Sequence, residues 1–312
     1  MSAFFADKKI VVTGGAGFLG SFVVRKLHQR DCACVVVPRR STCDLRRRED
    51  IDRLLDEAQP DVVIHLAGVV AGIGGTRANP ATSFYDNLIM GAQLVDAAWS
   101  HKVGKAVLLG TVCSYPREIP LPGKEEDLWN GYPEETNAPY GIAKKVHLVQ
   151  AQAYRRQYGF NAIYLVAANL YGPGDNFDAH TSHVIPSLIR KFCAAVESGA
   201  AEVVCWGDGT PTREFLFVEE CAEAILLATE HYDQGEPVNI ASGAEISIRE
   251  LAETIARLVG FRGRIRWDAS QPNGQPRRLW DTSRAELAFG FRARKRFLDG
   301  LQETIAWYQL NR

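Results

Sequence analysis

The sequence predicts an α/β protein, a doubly wound parallel sheet with a smaller C-terminal lobe. Three observations predict it. Gly14, Gly17 and Gly20 follow the first apolar run. Short apolar runs then alternate with amphipathic stretches as far as Ala167, the pattern of strands joined by crossover helices. Tyr140 and Lys144 stand four apart just after Pro139, which puts both on one face where a helix begins.

Taken in order, Lys8 to Val12 is the first strand and Ser21 to Arg30 the first helix, with Thr13-Gly14-Gly15-Ala16-Gly17-Phe18-Leu19-Gly20 between them. Gly14 permits a tight turn. Gly17 lets a diphosphate approach the backbone and the helix N-terminus, and Gly20 lets the helix pack closely on the strand. The spacing is G-x-x-G-x-x-G, and its place at the first strand–helix junction points to a dinucleotide-binding fold of the Rossmann type. Phe18 and Leu19 join the cofactor contacts by position in that turn. Ala33 to Val37 is the second strand and runs into Pro38-Arg39-Arg40. An acidic residue here would bond ribose hydroxyls, whereas arginine accommodates a 2′-phosphate, so the expected cofactor is NADP(H). Asp44, followed by Leu45, either meets the adenine edge or caps a helix from Arg46 to Glu57.

Asp61 to Ala67 is the third strand, apolar along almost its whole length, as a strand buried on both faces should be. His65 inside it reads as a core histidine. Ala67 ends it, and the glycine-rich loop from Gly68 to Gly75 follows where ligands bind in such sheets. Ala81 to Trp99 is a helix and Lys105 to Leu109 the fourth strand, leading into Gly110-Thr111-Val112-Cys113-Ser114-Tyr115-Pro116. Arg117 to Ala138 reads as loop. The Tyr140/Lys144 helix continues to Tyr158, and Asn161 to Ala167 is the fifth strand. An ammonium beside the Tyr140 phenol would lower its pKa toward the range a proton-transfer catalyst needs.

Beyond the fifth strand, Asn169 to Asn176 is turn chemistry. Helices are expected at Val184–Ser198, Val218–His231, Ser247–Val259 and Leu298–Tyr308. Strands are expected at Glu202–Trp206, Pro237–Ala241 and Arg264–Trp267. The expected division is residues 1–168 plus 215–241 as the dinucleotide-binding domain, and 169–214 plus 242–312 as the substrate lobe.

Composition excludes several classes. The 312 residues carry a formal net charge of −1, so no broad basic surface suggests nucleic acid. No apolar run reaches the roughly 20 residues that span a bilayer, and the N-terminus is too short and polar before the first strand for a signal peptide. The seven cysteines are odd in number and fit no zinc spacing, which is the usage of reduced thiols in a cytoplasm.

Gly14-x-x-Gly17-x-x-Gly20, Thr111 and Tyr140-x-x-x-Lys144 together resemble the extended short-chain dehydrogenase/reductases. Within that superfamily the chain resembles the GDP-L-fucose synthase family over nearly its whole length. The second resemblance rests on Cys113-Ser114-Tyr115-Pro116, Asn169-Leu170-Tyr171-Gly172-Pro173, Asp175-Asn176-Phe177 and Ser182-His183-Val184-Ile185-Pro186. Trp206-Gly207, Gly209 to Phe215 and Asp268-Ala269-Ser270-x-Pro272 extend it. The family epimerises C3 and C5 of GDP-4-keto-6-deoxy-D-mannose and reduces the C4 ketone with NADPH. The resemblance implies Cys113 as base, His183 as acid and cofactor contact, Tyr140 as proton donor to the ketone, Thr111 as its hydrogen-bond partner and Lys144 on the nicotinamide ribose. It makes Lys191, Arg213 and Arg278 candidates for the diphosphate, with Asn169 and Trp206 lining the sugar-nucleotide pocket. It also implies a homodimer through a four-helix bundle of Ala81–Trp99 and Tyr140–Tyr158.

Bland alternatives stand beside these: Cys113 as a small buried thiol, His183 as a helix cap, Arg213 paired with Glu214. Thr111 stands where the family has serine, and Ala168 where a proline often precedes Asn-Leu-Tyr-Gly-Pro. These departures leave open a relative acting on another NDP-4-keto-6-deoxy sugar. A dehydratase is disfavoured, because Val112 and Cys113 occupy the places of its acidic pair. A cofactor-recycling epimerase, or a non-catalytic NADP sensor, would keep the fold; turnover separates them.

Overall fold

In the computed structural model the chain is described over residues 3–70, 78–271, 273 and 275–312. Residues 71–75 of the expected ligand loop, Pro272 and Gly274 lie outside the described residues. The strands are β1 (Lys9–Thr13), β2 (Cys34–Val36), β3 (Val62–His65), β4 (Lys105–Thr111), β5 (Ala162–Ala167), β6 (Asn169–Tyr171), β7 (Glu202–Trp206), β8 (Thr212–Phe217), β9 (Val238–Ile240), β10 (Glu245–Ser247) and β11 (Arg264–Asp268). The helices are α1 (Phe18–His28), α2 (Arg48–Ala58), α3 (Pro80–Ser100), α4 (Ala138–Tyr158), α5 (Val184–Ser198), α6 (Val218–His231), α7 (Ile248–Val259), α8 (Ser283–Phe289) and α9 (Phe297–Asn311).

The main sheet runs β2-β1-β3-β4-β5-β9 with every pair parallel. Strands β3 and β5 are buried at every position, because helices cover both faces of a parallel sheet. The chain leaves β1 to form β2 on one side and returns to form β3 on the other. Thr13 and His65, paired at the ends of β1 and β3, therefore flank the crevice where such sheets bind ligands.

On one face α3 and α4 pack along their length. The His147 ring and the Leu88 carbonyl are 3.1 Å apart, Gln150 donates to the Ala92 carbonyl at 2.8 Å, and Trp99 stacks on Tyr158 at 4.1 Å. A Cβ on Gly91 would overlap the His147 ring, so glycine there sets how closely the two helices approach. On the other face α6 lies against α1, tied by Arg25 to Glu219 and by Lys26 and Arg30 to Glu223.

Lys105 is buried at the start of β4. Its ammonium donates to the Thr229 and Tyr232 carbonyls at 2.6 and 2.8 Å and to Asp233 at 2.8 Å. It thereby satisfies the carboxyl end of α6, where carbonyls lack helical partners and the dipole favours a cation. Lys105→Met should destabilise the fold by about 2–3 kcal/mol through those unsatisfied groups. A urea midpoint equal to wild type would exclude this.

A second core holds Ile189, Phe192, Leu251, Ile255 and Leu301, between α5, α7 and α9. Two small sheets border it, β10-β8-β6 and β11-β7.

Four elements depart from the sequence expectation. Asn169–Tyr171 is a short strand rather than pure turn: it pairs parallel with Phe215–Phe217, and Gly172 at φ +155° ends it. Thr212–Phe217 and Glu245–Ser247 are strands, hidden by neighbouring Gly, Pro and Ser. Ser283–Phe289 is a helix of seven residues, too short to show a period. Trp280, Ala285, Phe289 and Phe291 pack into the core of the main sheet. Residues 280–291 therefore lie on the dinucleotide-binding side, although chain position had assigned them to the substrate lobe.

Candidate active site

The glycine turn follows β1. Gly14 has φ +72°, and a Cβ there would lie 2.7 Å from the Ala67 amide. A Cβ on Gly20 would strike the Gly14 carbonyl and sit 2.6 Å from Gly15 Cα. The close contact of Gly20 is thus with the glycine turn, not with the strand as the sequence suggested. Gly17 is the N-cap of α1, with no side chain to satisfy the first-turn amides, and a Cβ there would meet only the Gly14 oxygen, at 3.2 Å. The amides that open α1, at Phe18 and Leu19, have no intrahelical partners and sit at the positive end of the helix dipole. Leu19 is buried and Phe18 half-buried, so their side chains serve the core and their backbone faces the ligand position. This open cradle fits a dinucleotide diphosphate.

Arg39 and Arg40 are exposed beyond β2. Asp44 accepts from the Arg46 guanidinium at 2.9, 3.2 and 2.6 Å and from the Arg46 amide at 3.1 Å. The Arg46 hydrogen bonds hold its carboxyl down to about 2. The expected helix-capping role is not observed: α2 begins later, with Arg47 as its N-cap and no side-chain capping bond, and Asp44 bonds Arg46 instead. Leu45 is buried.

The reactive groups gather where β3 and β4 end against α4. Thr111 closes β4, and its hydroxyl accepts from the Cys113 amide at 3.2 Å, capping the turn Val112–Ser114. Ser114 donates to the Gly141 carbonyl at 2.8 Å, fastening that turn to α4. Tyr164 on β5 donates to the Lys144 carbonyl at 2.9 Å, and a Cβ on Gly110 would overlap the Tyr164 phenol. Lys144 donates to the Ala67 carbonyl at 3.3 Å. Asn87, buried on α3, holds the same loop by pairing with both the amide and the carbonyl of Val69 at 3.0 Å. Thr111, Cys113, Tyr140, Lys144 and Ala67 are therefore brought together.

Burial lowers Lys144 to about 8. Burial, and then the Cys113 sulfur, raise Tyr140 above its ordinary value. This corrects the expectation that Lys144 lowers Tyr140: here the ammonium bonds a backbone carbonyl and the phenol stays protonated. Cys113 is half-buried, not sealed in the core, and burial raises its thiol while the Thr111 hydrogen bond and Arg278 oppose the rise.

Arg278 donates to the Pro116 carbonyl at 3.1 Å and stands over the Trp280 ring. Arg213 donates to the Thr212 and Gln275 carbonyls at 2.7 and 2.6 Å. Burial, and next Arg278, lower Arg213 to about 10. Two half-buried guanidiniums that oppose each other call for an anion. Arg213 does not pair with Glu214. That carboxylate turns inward and accepts from the Trp280 and Gly243 amides at 2.9 and 2.5 Å.

On the lobe, Asn169 donates to the Glu214 carbonyl at 3.4 Å. Lys191 donates to the Val204 carbonyl at 3.4 Å and lies 5.9 Å from the ring of Trp206, which is 65% exposed. His183 is the N-cap of α5, but its side chain makes no capping bond, so the bland capping role is not the one observed. His183 is exposed by its surface area, and desolvation by the surrounding protein holds the imidazole below its ordinary value. Among the described residues His183 shares no hydrogen bond with Cys113 or Tyr140. Glu134 joins the site without a sequence signal of its own, and Ser114, read only as part of the Cys113-Ser114-Tyr115-Pro116 motif, joins it as the fastener of the turn to α4.

Fold and site together define a dinucleotide-dependent enzyme of the extended short-chain dehydrogenase/reductase type. The NAD dependent epimerase/dehydratase family matches residues 10–241. A probable GDP-L-fucose synthase 1 from Oryza sativa subsp. japonica is 41% identical, over 99% of this chain and 95% of its own. The GDP-L-fucose synthase of Sinorhizobium fredii is also 41% identical, over 97% of this chain and 96% of its own. A GDP-L-fucose synthetase from Naegleria fowleri, solved bound to NADP, superposes with a TM-score of 0.87 at 26% identity, covering 97% of this chain and 94% of its own. The chain belongs to the NAD dependent epimerase/dehydratase family and, within it, to the GDP-L-fucose synthases.

Proposed function

We propose that the chain is an NADPH-dependent epimerase and reductase that converts GDP-4-keto-6-deoxy-D-mannose to GDP-L-fucose. The observation that carries this reading is the convergence of Thr111, Cys113, Tyr140 and Lys144 at the ends of β3 and β4, in a chain 41% identical to GDP-L-fucose synthases. Gly14, Gly17 and Gly20 with the α1 amides hold the cofactor diphosphate, and Arg39 and Arg40 its 2′-phosphate. Lys144 and Tyr140 meet the nicotinamide ribose. When bound, NADPH supplies hydride for C4.

Cys113 removes the proton next to the C4 ketone, first at one carbon and then at the other, and His183 returns a proton from the opposite face. A thiol and an imidazole ordinarily titrate on either side of neutrality; burial here raises the first and lowers the second. Thr111 and Tyr140 hydrogen-bond the ketone oxygen and stabilise the enolate. Tyr140 gives that oxygen its proton as C4 is reduced. Arg213 and Arg278 bind the GDP diphosphate, joined by Lys191, while Asn169 and Trp206 line the pocket.

The test is NADPH oxidation with GDP-4-keto-6-deoxy-D-mannose, for wild type and Cys113→Ser. Wild type should yield GDP-L-fucose, and Cys113→Ser an unepimerised sugar or none. Proton exchange without NADPH consumption would leave an epimerase only. Neither consumption nor exchange would sink the substrate.

The molecule acts as a homodimer in this reading. Tyr85 on α3 and Val146 and Val149 on α4 are exposed apolar side chains on adjacent helices, the surface a two-fold four-helix bundle would cover. Sedimentation at the mass of one chain would exclude it. Among the described residues no helix is long and apolar enough to cross a membrane; the cytoplasmic place in this reading rests on the cysteine usage.

A further inference from the structure

Glu134 has no part in the mechanism above, yet three stretches of the site meet around it. It follows Pro133, which bridges antiparallel to Pro116, and the Arg117 amide donates to the Tyr132 carbonyl at 2.9 Å. The bridge lays this segment against the one that leaves Cys113. Arg278 arrives on the same segment through the Pro116 carbonyl. One carboxylate oxygen of Glu134 accepts from the Thr136 hydroxyl and from the Asn137 amide and side chain, at 3.2 and 3.0 Å. Asn137 is the N-cap of α4 and does not cap it with its own side chain. The helix that carries Tyr140 and Lys144 therefore takes its start from Glu134.

We propose that Glu134 is a positioning residue, which fixes the first turn of the catalytic helix and offsets the charge of Arg278 beside Cys113. This rests on Cys113 being the base. The thiol is biased by the Thr111 hydroxyl through a hydrogen bond and by the charges of Arg278 and Glu134, and its sulfur in turn raises the Tyr140 phenol. Arg278 favours the thiolate and Glu134 opposes it.

Glu134→Gln keeps an oxygen that can accept from Thr136 and Asn137 and removes the charge; Glu134→Asp keeps the charge. The readout is the pH dependence of Cys113 alkylation by iodoacetamide, followed on the Cys113 peptide by mass spectrometry so that Cys32 and Cys34 do not contribute. Glu134→Gln should move the midpoint to lower pH. Glu134→Asp should leave the midpoint where it is in wild type. An unmoved midpoint in Glu134→Gln, or the same shift in both variants, would overturn the proposal. So would loss of fold in Glu134→Gln, whose amide retains the acceptor. Alkylation needs no substrate, so this outcome is separable from failure of the sugar assignment.

Discussion

Tyr140→Phe should lower the rate of NADPH oxidation by about 10²–10⁴-fold, the usual range for loss of a positioned proton donor. The change removes one hydroxyl and keeps the ring, so α4 and its packing should remain. The size of the effect follows from the environment. Burial raises the Tyr140 pKa, so the phenol is fully protonated at neutral pH and ready to donate to an oxygen that gains charge. A positioned donor acts on the oxygen as its charge develops, which a solvent proton does less well. Lys144 adds a pH signature. Its ammonium, lowered to about 8 by burial, is present below that pH and is lost as pH rises through it. The wild-type rate should therefore fall above about pH 8. Cys113 alkylation should survive in Tyr140→Phe. A loss of less than tenfold would remove Tyr140 from the proton-donor role.

The sequence was most legible where a physical period or a backbone demand writes itself into residue types. Val184–Ser198, Glu202–Trp206 and Val218–His231 have the expected bounds, since each is long or apolar enough to carry its own pattern. The glycine turn was legible because overlap with Ala67 and with the turn itself leaves no room for side chains. The three-residue strands beside Gly and Pro were not, because pairing across 46 residues, as between Asn169 and Phe215, leaves no local mark. The same holds within the site. Tyr140 and Lys144 were readable from a helical spacing, whereas their charge states depend on burial and on the Ala67 carbonyl. The inward turn of Glu214, which frees Arg213 for an anion, depends on amides at Gly243 and Trp280 far along the chain.

Gly141→Ala should cost roughly a hundredfold in turnover while the protein stays folded, the scale of a displacement of about 1 Å at reacting groups. A Cβ at this position would overlap the Cys113 carbonyl oxygen and lie 2.7 Å from its carbon. Both obstacles are backbone, so no side-chain rotation relieves them. The helix cannot retreat freely, because Ser114 holds the Gly141 carbonyl and Tyr164 holds that of Lys144. The added methyl must instead push the Val112–Ser114 turn away from α4, carrying Cys113 from Tyr140 and weakening the Thr111 cap. Helix propensity acts the other way: alanine in place of a helical glycine favours the helix by about 1 kcal/mol. Stability should therefore change little while catalysis collapses. Circular dichroism and a thermal melt measure the first, and NADPH oxidation with substrate the second. Wild-type turnover in Gly141→Ala would mean that the thiol and the phenol need not keep their observed approach, and would remove the geometric basis for placing them in one reaction.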